Sequence, residues 1–109
     1  MCKSEANDTA KILGLLGLCR RAGRLVCGTP QICESLGSKK DIRMVLMADG
    51  ASENTRKRLS DRCKYYGVAL YAVKVTTAEL AHALGKSGEL AAVGVTDPSF
   101  AKGLEQLFL

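Results

Sequence analysis

Ile42-Arg43-Met44-Val45-Leu46-Met47-Ala48, then Ser52-Glu53-Asn54-Thr55 leading to Tyr65-Tyr66-Gly67, then Val68-Ala69-Leu70-Tyr71-Ala72-Val73-Lys74-Val75, reads as strand, helix, strand. Met44 to Met47 is continuously apolar rather than alternating, the pattern of a strand covered on both faces. Ser52 is an N-cap, and Glu53 suits the positive end of the helix dipole. On a helical wheel Leu59, Cys63 and Tyr66 share one face, and Gly67 stops the helix.

The same alternation extends outward in both directions. Toward the C-terminus, Thr76 and Glu79 have capping-box spacing and start a helix carrying Leu80, Ala81 and Leu84, which ends at Gly85. Leu90 to Val95 is a further strand. Asp97-Pro98 opens a last helix with Phe100, Ala101, Leu104, Leu107 and Phe108. Toward the N-terminus, Thr9 caps a helix carrying Ile12, Leu13, Leu15, Leu16, Leu18 and Cys19, stopped by Gly23. Its Gly14 and Gly17, one turn apart, disfavour helix and are expected to admit a close neighbour. Leu25-Val26-Cys27 is a short strand ended by Gly28. Thr29 then caps a helix with Pro30 at its first position, carrying Ile32, Cys33 and Leu36 and stopping at Gly37. Apolar strands between amphipathic helices imply an α/β fold, a three-layer α/β/α sandwich.

The chain has 109 residues, 47% apolar and 25% charged, which suits one domain with a real core. Residues 1–8 are polar, lack a signal-peptide core, and are expected to form a flexible tail on a domain spanning 1–109. No apolar run reaches the roughly 18 residues of a membrane helix. These features point to the cytoplasm, with no membrane partner. The cysteines Cys2, Cys19, Cys27, Cys33 and Cys63 are odd in number and contain no C-x-x-C pair. They read as free thiols, with no metal and no cofactor.

The positive charge is focused. Arg20, Arg21 and Arg24, then Lys39, Lys40 and Arg43, then Arg56, Lys57, Arg58, Arg62 and Lys64 hold 11 of the 16 basic residues. With Asp41 and Asp61 counted, these segments carry +9 and the remainder −4 of the net +5. Such focusing suggests a polyanionic partner, most often nucleic acid. The third segment reads equally well as the solvated back of its helix.

Catalytic motifs are not found. Gly85-Lys86-Ser87 resembles the end of a P-loop, but position 80 is Leu80, not glycine, and the tripeptide follows a helix rather than a strand. His82, the only histidine, lies between Ala81 and Ala83 and reads as a surface or packing residue. A thiol enzyme using Cys27 or Cys33 lacks an evident base partner. Gly28-Thr29-Pro30-Gln31 is more promising as a binding element. A helix start offers unpaired N–H groups to a phosphate, Gln31 offers donor and acceptor to a base edge, and Arg24 adds charge upstream.

The chain from about Lys11 to Leu107 resembles the kink-turn RNA-binding ribosomal protein superfamily (large-subunit proteins seven-Ae and thirty-e), most nearly its small bacterial YlxQ-type branch. The resemblance is carried by Gly14-Leu15-Leu16-Gly17-Leu18 with Arg21-Ala22-Gly23, Leu25-Val26 and Gly28. It continues in Ala51-Ser52-Glu53-Asn54-Thr55, Lys57, Asp61, Cys63, Tyr65-Tyr66 and Gly67-Val68. Leu80, Gly85-Lys86, Val93-Gly94-Val95-Thr96-Asp97 and Phe100-Ala101 complete it.

The resemblance implies a four-stranded mixed sheet and a non-catalytic protein that binds structured RNA, with the ribosome as a further partner. The implied contacts are Gly28, Thr29, Pro30, Gln31 and Glu34, and Gly85, Lys86, Ser87, Gly88, Glu89 and Leu90. Where archaeal and eukaryotic members have Gly-x-Asn-Glu-x-x-Lys, this chain has Pro30, Gln31 and Glu34 at the Asn, Glu and Lys positions. Lys86 and Gly88 likewise depart from an apolar and a basic residue. These departures imply weakened kink-turn affinity. The alternative function is a protein–protein module on the same scaffold.

Overall fold

The computed structural model describes residues 9–37 and 42–107. The expected N-terminal tail, Cys2, the Lys39-Lys40-Asp41 segment and Phe108 lie outside the described residues. Elements alternate as α1 (Thr9–Arg21), β1 (Leu25–Cys27), α2 (Thr29–Gly37), β2 (Met44–Ala48), α3 (Glu53–Tyr66), β3 (Ala69–Val73), α4 (Thr77–Ala83), β4 (Ala92–Val95) and α5 (Pro98–Gln106).

The local signals explain most boundaries. Ser52 Oγ accepts from the Thr55 amide at 3.3 Å, and Gly67 ends α3 at φ +69°. Thr76 and Glu79 form the expected capping box, with hydrogen bonds of 3.0 and 2.9 Å. Asp97 Oδ1 accepts from the amides of Ser99 and Phe100 at the start of α5.

The strands are shorter than their apolar runs. Ile42, Val75 and Leu90 are buried but lie beyond the ladders of β2, β3 and β4. Burial extends past pairing there, and an apolar pattern cannot separate the two.

The sheet is mixed, in the order β1-β4-β2-β3. β2 and β3 are parallel, Met44 opposite Ala69 through Ala48 opposite Val73, with α3 as the crossover that a parallel pair needs. β4 runs antiparallel to both of its neighbours, β1 and β2. Alternate strand residues face opposite layers. Met44, Leu46, Ala48, Val73, Val93 and Val95 pack with Ile12, Leu16, Leu80 and Leu104 of α1, α4 and α5, and with Leu84 just past α4. Val45, Met47, Ala72 and Ala92 pack with Ile32, Leu36, Leu59 and Cys63 of α2 and α3. Continuous apolar strands thus fill two cores, one on each face of the sheet.

Gly94 lets α2 approach closely. A Cβ there would lie 3.3 Å from Ile42 Cδ1 and 3.6 Å from Ile32 Cγ1. The expectation that Gly14 admits a neighbour is not met: a Cβ there would meet nothing within 4 Å. At Gly17 the nearest atom is the Ala83 carbonyl oxygen, at 3.9 Å. Among the described residues no helix is long and apolar enough to cross a membrane.

Candidate nucleic-acid interface

β1 is three residues long, and its two ends are held differently. At its start the Arg24 carbonyl accepts from the Thr96 amide at 3.0 Å, the Thr96 hydroxyl at 3.0 Å and the Cys19 thiol at 3.1 Å. Arg24 Nε lies 3.9 Å from Asp97 Oδ2, and the arginine side chain is 61% exposed. At the far end the Gly28 amide donates to the Ala92 carbonyl at 3.0 Å. Four residue steps of extended chain separate Arg24 from Gly28, about 13 Å.

Gly28 has φ +97°, a conformation that favours glycine. Its carbonyl accepts the Ile32 amide at 3.0 Å, the first bond of α2. Gly28 therefore occupies the N-cap position, and Thr29, expected there, is already helical. Pro30 shifts with it to the second helical position, where its missing N–H still costs no helical bond. The Gln31 side chain folds back over Gly28: a Cβ on Gly28 would lie 2.7 Å from Gln31 Oε1. Pro30, Gln31 and Glu34 are exposed and Thr29 is half-buried.

The antiparallel register, Cys27 opposite Val93, sets the C-terminal end of β1 beside the N-terminal end of β4. The start of α2 and the 85–90 segment therefore meet at one end of the sheet. Within that segment Gly85 to Glu89 are exposed and Leu90 is buried. Gly85 has φ +71° and Gly88 φ +84°. Leu90 is held by its backbone N–H, which donates to the Thr77 carbonyl at 3.0 Å. Glu89 turns back to accept from the Thr77 hydroxyl at 2.7 Å, leaving Lys86, Ser87 and Gly88 as the outward part.

Two cations converge on this end. Burial pushes the Cys27 thiol up in pKa, and the charges of Lys86 and Arg20 oppose that rise. Arg20 Nη1 would lie 3.8 Å from a Cβ on Gly85. Arg20 of α1 thus joins the 85–90 segment, whereas Arg24, its neighbour in the same basic run, is drawn to Asp97 at the opposite end of β1. Sequence reasoning named Arg24 beside the α2 start; the structure sets the Arg20 side chain against Gly85 and Arg24 beside Asp97. The signal available was Arg20 in the last turn of a helix stopped by Gly23, and it did not say which segment the long side chain would reach.

The Cys19 and Cys63 thiols are ill-suited to act as nucleophiles. Burial first, then the Asp97 and Cys27 charges, push Cys19 up to about 11, against the Arg24 charge. Burial, then Cys33, pushes Cys63 up to about 11. A nucleophilic thiol needs the opposite shift. His82 is exposed. Among the described residues no three of His, Cys, Asp and Glu gather in a way that could hold a metal ion.

The model of the ribosomal protein L7Ae/L30e/S12e/Gadd45 family matches residues 10–105. The chain belongs to that family. It is 33% identical over 97 residues to the RNA-binding protein YlxQ of Enterococcus faecium, covering 89% of this chain and 90% of that protein. It is 36% identical over 93 residues to the RNA-binding protein YlxQ of Bacillus subtilis strain 168, covering 85% and 90%. A Bacillus halodurans protein of unknown function has a similar structure, with TM-score 0.81, 32% identity, and coverage of 91% of this chain and 97% of that one. The Giardia lamblia 15.5kD RNA binding protein shares the fold at TM-score 0.76 and 13% identity, over 92% of this chain and 83% of that one. This L7Ae-family fold has the layers and mixed sheet expected from the sequence.

Proposed function

We propose that this L7Ae-family chain is a non-catalytic, cytoplasmic RNA-binding protein that recognises structured, kink-turn-like RNA and works with the ribosome or in translation. The observation that carries the reading is the meeting of the α2 start with the 85–90 segment beside Arg20 and Lys86. Helix N–H groups and two cations attract phosphate, while Gln31 presents an amide to a base edge. Irregular RNA is recognised through shape, backbone and exposed base edges, so few aromatic residues suffice. The names of the Enterococcus and Bacillus YlxQ relatives support the RNA-binding part of the reading.

Gly28, Thr29, Pro30, Gln31 and Glu34 form one half of the proposed contact, and Gly85 to Leu90 the other. Glu89 and Leu90 serve it by shaping the segment rather than by reaching RNA. Arg24 acts at its margin. Pro30 offers a base no side-chain hydrogen bond, and Glu34 brings negative charge one turn further along α2, so affinity is lower than in members carrying Asn and Lys there.

Titration with a kink-turn RNA and with an unbent duplex of equal length, each at two salt concentrations, tests the reading. Preference for the kink-turn with a steep salt dependence is expected. Equal affinity for both RNAs removes the kink-turn part, and absence of binding at low salt removes RNA altogether.

A further inference from the structure

α1 and α4 enclose an open cleft of about 430 Å³. Its lining combines half-buried Leu13 and exposed Leu18 with exposed Arg20, Arg21 and His82, and among the described residues it contains no carboxylate. Among the described residues neither arginine pairs with a carboxylate, whereas Arg24 and Arg56 do. Gly14 and Gly17 form the α1 wall. Neither has a positive φ, and a Cβ at either would meet nothing closer than 3.9 Å. Two glycines disfavour the interior of a helix, and here neither backbone conformation nor packing requires them. What they provide is open space along the cleft. The cleft also shares Arg20 and Gly85 with the interface described above.

We propose that the cleft holds an unpaired nucleotide of the bound RNA, its base against Leu13, Leu18 and the glycine wall, its flanking phosphates on Arg20 and Arg21. The assignment rests on the RNA-binding reading of the adjoining interface. Bases inside a duplex are stacked and paired, so only an unpaired one can enter. Apolar side chains accept the base face, arginine planes add cation–π attraction, and the lack of carboxylates favours phosphate.

The probe is a kink-turn hairpin RNA, bare or carrying a short single-stranded uridine extension at its 5′ or its 3′ end. Affinities are measured for the unaltered chain, Gly14→Leu, Gly17→Leu and the double change Arg20→Gln with Arg21→Gln. An extension at one end is expected to tighten binding by roughly fivefold or more. Gly17→Leu should abolish that gain and leave bare-hairpin affinity and melting temperature intact. If Gly17→Leu melts early, Gly14→Leu, whose Cβ enters open space, carries the same test. The double arginine variant should lose the gain, with a salt slope shallower by about 0.7 for each phosphate it no longer neutralises. No gain from either extension, or a gain that survives both glycine changes, overturns the assignment while the RNA-binding reading stands. Failure of every RNA to bind removes both.

Discussion

Replacing Gly28 by alanine separates backbone strain from the loss of a recognition side chain. At φ +97° an L-residue costs about 1–2 kcal/mol. The new Cβ would lie 2.7 Å from Gln31 Oε1, so the glutamine side chain must swing off the start of α2. That movement adds little to the folding cost, because the far end of a glutamine is flexible. Melting should therefore fall by about 4–10 °C. Binding suffers more than stability. A displaced Gln31 forfeits a base contact worth about 1–3 kcal/mol, so RNA affinity should drop roughly fivefold or more. Gly67→Ala is the control. Gly67 has φ +69° with no atom within 4 Å of its would-be Cβ, and it ends α3, far along the chain from the interface. It should show a similar thermal loss with unchanged RNA affinity. Thermal denaturation and RNA titration on the two variants decide the matter. Parallel losses of affinity, or full affinity in Gly28→Ala, would refute the role given to Gln31.

Other expectations follow from the same geometry. Pro30→Asn with Glu34→Lys should raise affinity for a kink-turn selectively over an unbent duplex, with the fold intact because Gly28 supplies the N-cap; an equal gain for both RNAs would mean that only charge was added. Charge reversal at Arg20 should weaken RNA binding most, at Arg24 less, and at exposed Lys64 on α3 least, and equal losses at all three would point to net charge rather than a site. Cys19 and Cys63 have thiols raised from 9.0 to about 11, so the protonated form is favoured in the folded chain. The stability this represents is whole below pH 9 and is lost as the pH rises toward 11, by about 2–3 kcal/mol per thiol. Denaturant titrations across that window should show a shallower decline for Cys63→Ala than for the unaltered chain, and identical slopes would contradict the buried-thiol account.

The helices and strands were legible because their causes are local. Ser52, Thr76 with Glu79, and Asp97 cap helices through bonds spanning two or three residues, and Gly67 stops α3 within one turn. The continuous apolar run in β2 already required cover on two faces. Thr29 and Gly28 exchanged roles at the α2 cap for a less local reason. Gly28 donates its amide to Ala92 in β4, 64 positions later in the chain, and that pairing fixes where the turn falls. Burial beyond the ladders at Ile42, Val75 and Leu90 likewise depends on the layers above and below.

The sequence by itself determined the order of elements and the layered class, and it marked the α2 start as a candidate for binding, since periodicity and capping act within a few residues. Only the tertiary structure decided which charges accompany that element. The antiparallel pairing of Cys27 with Val93 carries the 85–90 segment to the C-terminal end of β1, and the Arg20 side chain reaches Gly85 of that segment. Arg24, four residues further on, is left at the other end against Asp97. A strand partner distant in sequence leaves no mark on the residues beside it, so two arginines in one basic run could not be told apart until the sheet had been assembled.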